Sequence, residues 1–157
     1  MSGDERVLAY SRVHVVGAVV SLASPSWQRD VWLDPSEFEN IDQIFHVLFD
    51  DFCDADDPER YLGLSLRTAE EVVLMRRLGA ALGAAEREVV VDTDAEYLRS
   101  SAWPEVVTIA GRLVQVMVDN DLMVLVRMCE KADPPASKAW GASVRGVFEK
   151  VFRARGA

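Results

Sequence analysis

Apolar residues recur at three- and four-residue intervals along almost the whole of this 157-residue chain, and that spacing constrains its fold more than any other property. Ile41, Ile44, Phe45, Leu48, Phe49 and Phe52 fall on one helical face, with Asn40 placed to cap its start. The segment "IFHVLF" inside this run is also strand-like, but the helix reading is preferred. Val13, Val16, Val20 and Ala23 share a face over about Asp4 to Ala23, widened by Val15 and Val19, so a first helix central to the core is expected. Pro25 and Ser26 open a short helix that Pro35 closes, and its Trp27 and Trp32, five residues apart, are expected on different faces.

Thr68 with Glu71 and Thr93 with Glu96 are capping-box pairs. The first precedes a helix carrying Val72, Met75, Leu78, Gly79 and Leu82 to about Ala84, the second a short helix with Tyr97 and Leu98. Between them "EREVVVDT" fits one short strand or an extended linker. Pro104 lies in the first turn of a helix with the stripe Val106, Ile109, Ala110, Leu113 and Met117. "DND" at 119–121 is expected to break it before "LMVLVRMC" resumes a buried segment. After the linker "ADPPAS", Trp140, Val144, Val147, Phe148, Val151 and Phe152 line one face of a terminal helix whose other face carries Arg145, Lys150, Arg153 and Arg155.

The expected fold is mainly α, a single compact domain of about seven helices with at most one short strand pair. Residues 1–132 form an acidic helical core. Residues 133–157 supply a Pro-rich linker and a basic amphipathic C-terminal helix, packed on the core or used for homodimer pairing.

Charge narrows the function classes. Residues 1–132 hold 12 Lys/Arg against 24 Asp/Glu, net −12, while 133–157 hold 5 against 2, net +3. An acidic body repels phosphate backbones, so direct nucleic-acid binding is disfavoured and a basic protein surface is the favoured partner. Cys53 and Cys129 give neither a disulfide framework nor metal spacing, which points to reduced thiols and a cytoplasmic location. The run "VHVVGAVVSLAS" imitates a signal-peptide core but lacks a positive leader, and no apolar run reaches membrane-spanning length.

The densest charge feature is "HVLFDDFCDADDPERYLG", where Asp50, Asp51, Asp54, Asp56, Asp57 and Glu59 place six acids within ten residues. A metal site, a docking face and a solvated loop all fit the bare pattern. "DDFCD" matches the magnesium-binding DDxxD spacing, but the facing helix that would supply the second metal motif has Val124 and Met128 at its ligand positions. A calcium loop starting at Asp54 has Glu59 where Gly is needed and Ser65 where the bidentate Glu is needed. His14 and His46 lack partners for nucleophilic catalysis and are expected to be partly buried. Asp92, Asp94 and Glu96 resemble paired acid–base carboxylates, although the capping role already explains Glu96.

"PSWQRDVW", "IFHVLFDDF", "PERYLGLSL" followed by "AEEV", and "DAEYLRSSAWPEVV" together resemble a family of small bacterial proteins associated with immunity proteins of contact-dependent growth inhibition systems. The resemblance covers about 25 to 118. It implies a protein that binds a toxin's nuclease domain and blocks it, without catalysis, metal or cofactor. The residues expected to meet such a basic partner are Asp50, Asp51, Asp54, Asp56, Asp57 and Glu59, with Arg60 and Tyr61 at the rim. The alternatives are a structural or self-associating helical protein and a metal-dependent small-molecule enzyme.

Overall fold

The N-terminal apolar run folds as helix α1, Gly3–Leu22, which contributes Val15, Ala18, Val19 and Leu22 to the core. The computed structural model describes residues 3–132, with backbone only for 3–8, so the expected C-terminal helix lies outside the described residues. The buried face of α1 is not the one its valines suggest: Val13 is 70% and Val20 41% exposed. The rotation follows Arg12, which is buried and shares the inward stripe with Val15, Val19 and Leu22. In a helix apolar on most sides, periodicity leaves the rotation open, and here a charged side chain with an internal partner fixes it.

Helix α2, Pro25–Trp27, runs on as a π-helical turn, Gln28–Trp32. Helix α3, Ile41–Phe45, does the same through His46–Asp51. The side chain of Asn40 accepts a hydrogen bond from the Gln43 N–H and caps α3. Ile41, Ile44 and Leu48 are buried, with Phe45, Phe49 and Phe52 packed against the core, so the helical reading of this segment holds.

A 3-10 turn, Pro58–Tyr61, follows. Gly63, at φ +83°, then turns the chain into an isolated bridge between Leu62 and Leu66. Among the described residues that bridge is the only β pairing. Helix α4, Ala69–Glu88, starts on the Thr68 cap and buries Val72, Met75, Leu78, Gly79 and Leu82. Gly79 is required by close packing, because a Cβ there would lie 2.7 Å from the Ala55 carbonyl oxygen. Helix α5, Asp94–Arg99, starts on the Thr93 cap.

Helix α6, Trp103–Ala132, continues straight through "DND". Asp and Asn in a helix interior cost only some tenths of a kcal/mol each relative to Ala, too little to stop a long helix. Its core stripe is Val106, Ile109, Ala110, Leu113 and Met117. The chain divides into two units, Met1–Asp119 and Asn120–Ala157. In the second, "LMVLVRMC" is not a buried segment: Leu122, Leu125 and Met128 are exposed. An apolar sequence favours burial but does not guarantee a partner to supply it. The described residues are therefore all-α, with six α-helices, and none of these helices is long and apolar enough to cross a membrane.

Candidate functional site: an acidic helix end and an adjoining groove

The π-helical extension of α3 and the loop after it carry the acidic cluster. Asp50 and Asp51 occupy the last turn of the π-helical extension, where the helix dipole disfavours negative charge. His46 lies between two of the acids, with Nδ1 3.1 Å from Asp50 Oδ2 and Nε2 3.7 Å from Asp42 Oδ2. It is an exposed side chain, not the half-buried one expected. His14 is partly buried as expected, stacked on Phe52 with ring centres 4.5 Å apart and met edge-on by Tyr10.

The other carboxylates differ in how far the chain already uses them. Asp54 Oδ1 accepts the backbone N–H groups of Asp56 and Asp57 and shapes the loop. Glu59 pairs with Arg76, which also donates to the Asp56 carbonyl oxygen, so α4 is tied to the turn. Asp57 lies 3.8 Å from Arg60 in an exposed pair. Tyr61 packs half-buried against the core. Asp51 and Asp56 have exposed side chains with no ion pair among the described residues. Among the described residues, no group of three or more His, Cys, Asp or Glu is arranged to hold a metal ion.

Beside this cluster, α1 and α3 border an open groove of about 350 Å³ lined by Val13, His14, Gly17, Ala18, Ser21, Glu39, Gln43, Ile44 and Val47. Glu39 contributes the carboxylate. Its Oε1 accepts the indole N–H of Trp27 at 2.8 Å and of Trp32 at 3.0 Å. The two tryptophans do share a face, contrary to the α-helical expectation. In a turn closed by i→i+5 hydrogen bonds, residues five apart stand one above the other. Burial pushes the Glu39 carboxyl up, but hydrogen bonds from Trp32, Trp27 and Ser21 outweigh it and hold the group below the ordinary glutamate value. No cation pairs with Glu39 among the described residues.

Two buried polar junctions hold the surrounding helices. The guanidinium of Arg12 forms a two-pronged pair with Glu71, at 2.7 and 3.0 Å, and also donates to the carbonyls of Ser65 and Met117. One residue thereby links α1, the loop before α4, α4 itself and α6. Gln28 donates to the Ser21 and Leu22 carbonyls at the end of α1 and accepts the Trp103 indole N–H. Asp94 accepts the backbone N–H of Ile41 at 2.7 Å, giving it a structural task at the start of α3. Cys53 is fully buried, and burial pushes its thiol up to about 11.

Sequence reasoning missed both Glu39 and the Arg12–Glu71 pair. The available signal for the pair was a lone arginine on the stripe that continues as Val15, Val19 and Leu22. For Glu39 there was none without knowledge of the π turn.

An all-α architecture with an acidic helix end and no assembled metal cluster among the described residues defines only a broad class of protein. The chain belongs to the family described as "Domain of unknown function (DUF7945)", whose model matches residues 8–124. No curated protein and no solved structure matches it.

Proposed function

We propose that this protein is a non-enzymatic binding module that uses the acidic end of α3 and the loop after it to cover a basic surface of a partner protein. The observation that carries this reading is the set of exposed carboxylates Asp50, Asp51 and Asp56, with no Lys or Arg paired to any of them among the described residues. Arg60 and Arg76, which reach this loop, are engaged by Asp57 and Glu59. A concentrated negative face of this kind speeds and orients association with a basic surface, in a salt-sensitive way. Within this reading, the finer proposal is neutralisation of a toxin's nuclease domain by a cytoplasmic immunity protein, because a nuclease presents a basic substrate-binding surface.

The test is affinity capture from the source cell's lysate at about 50 mM and about 500 mM salt, with mass-spectrometric identification of what is retained. The expected outcome is a basic protein held only at low salt, and released about tenfold more readily when Asp50, Asp51 and Asp56 become Asn. Equal retention by the triple variant overturns the assignment of the face. A second reading, self-association, is favoured by exposed Leu122, Leu125 and Met128 on α6. A solution mass twice that of the chain, reduced when these three become Ser, would favour it.

A further inference from the structure

The groove between α1 and α3 differs from the acidic loop in having an apolar floor and a single anchored carboxylate. Tyr10, Val13, Gly17 and Val20 form one exposed stripe along α1, at spacings of three, four and three residues and about 15 Å long at helical rise. Gly17 sits mid-helix, where glycine costs up to about 1 kcal/mol relative to alanine. A Cβ built there would meet no other atom within 4 Å, so packing within the described chain does not require a glycine. Its lack of a side chain leaves the groove floor open to a close approach from outside.

None of the nine lining residues is Lys or Arg. Asp42 on α3 and Asp50 on its π-helical extension are exposed, one and three residues from the lining residues Gln43 and Val47. Glu39 lies at the groove wall with its carboxylate oriented by two indoles and unmatched by a cation among the described residues. The π-helical turn His46–Asp51, a geometry frequent at functional sites, borders the groove through Val47, and the turn Gln28–Trp32 supplies one of the two indoles that hold Glu39.

We propose that this groove docks an amphipathic basic helix of a partner protein, with its apolar stripe along Tyr10, Val13 and Gly17 and an arginine or lysine on the carboxylate of Glu39. The proposal rests on the protein-binding reading above and names the segment of the partner that the site accepts. Helix-in-groove recognition uses anchors three and four residues apart, which is the spacing of the α1 stripe. The negative groove margin selects a positively charged segment over an acidic one.

The probe is a synthetic amphipathic helix with a leucine stripe and a lysine- and arginine-rich opposite face, compared with a twin carrying glutamate on that face. Titration into isotope-labelled full-length protein is followed by amide chemical shifts. The expected result is saturable shifts at Val13, Gly17 and Val47 with the basic peptide, and affinity about tenfold weaker or absent with the acidic twin. Gly17→Leu places a bulky side chain at a position where a Cβ meets no atom within 4 Å, and it should abolish binding without lowering the melting temperature. Glu39→Gln should weaken binding about tenfold.

Shifts confined to Asp50, Asp51 and Asp56 and indifferent to Gly17→Leu would overturn the groove while leaving the acidic-face reading intact. No shifts in the groove would overturn it as well. Concentration-dependent shifts along α1 without peptide, together with a doubled solution mass, would assign the groove to a second copy and overturn the proposal.

Discussion

Glu71 and Glu39 are two glutamates held by several donors each, one in the core and one beside the groove, and they differ in burial and in the counterion they meet. Glu71 is fully buried and meets a guanidinium, so its charge is closed within the chain. Glu39 is held by neutral indole and hydroxyl groups, so its orientation is fixed but its charge is left without a counterion among the described residues. A carboxylate neutralised internally ties helices together, whereas one that is oriented without an internal cation keeps an uncompensated charge. The same division runs through the acidic loop, where Glu59 is tied to Arg76 while Asp51 and Asp56 have no such pair among the described residues.

The comparison is broken most forcefully at its buried end. Glu71→Ala leaves the Arg12 guanidinium buried without its counterion, and the expected loss is about 3–5 kcal/mol, read by urea or thermal unfolding. Replacing both partners together, Arg12→Met with Glu71→Leu, should restore most of that loss, since it removes the uncompensated charge. A single variant as stable as the parent would show that the junction is not what positions α1.

Two glycines supply the next test, in opposite directions. At Gly79 a methyl group would press on Ala55, with contacts at 2.7 Å to its oxygen and 2.9 Å to its Cβ, so Gly79→Ala should destabilise by about 1–3 kcal/mol. At Gly17 the space is open, and Gly17→Ala should stabilise by up to about 1 kcal/mol. Paired denaturation curves check both signs. Stabilisation at Gly79 or loss at Gly17 would contradict the packing described for α4 and α1.

These positions also mark what the sequence could and could not reveal. The helices, the three caps at Asn40, Thr68 and Thr93, and the core stripes of α3, α4 and α6 follow from local spacing, and local spacing is written in the chain. The family match over 8–124 is to a domain of unknown function, so it does not carry the immunity-protein resemblance over about 25–118. The rotation of α1 depended on a contact between residues 12 and 71, far apart in sequence, and no periodicity encodes such a pairing. Glu39 was hidden for a different reason: an α-helical ruler separates Trp27 from Trp32, and only the π turn brings both indoles to one oxygen. The acidic cluster was legible as composition, but which of its members are tied up by Arg76, by Arg60 or by the loop backbone was not.

The smallest effect sharpens the comparison at its exposed end. The Glu39 carboxyl lies below the ordinary glutamate value of 4.5, so the folded state binds its proton less readily than the unfolded chain does. Its hydrogen bonds therefore add stability that is fully present above pH 4.5 and is lost as pH falls from there through the lowered folded value. Glu39→Gln removes the titrating group, so the difference in stability between parent and variant should shrink as the medium is acidified across that window. The indole N–H groups still find an amide oxygen in the variant, which keeps its loss at neutral pH small and makes the pH dependence the informative quantity. A parent–variant difference that stays constant from neutral pH down through the carboxylate range would mean that the two tryptophans do not favour the charged form. Glu39 would then lose its claim to be a pre-oriented anion.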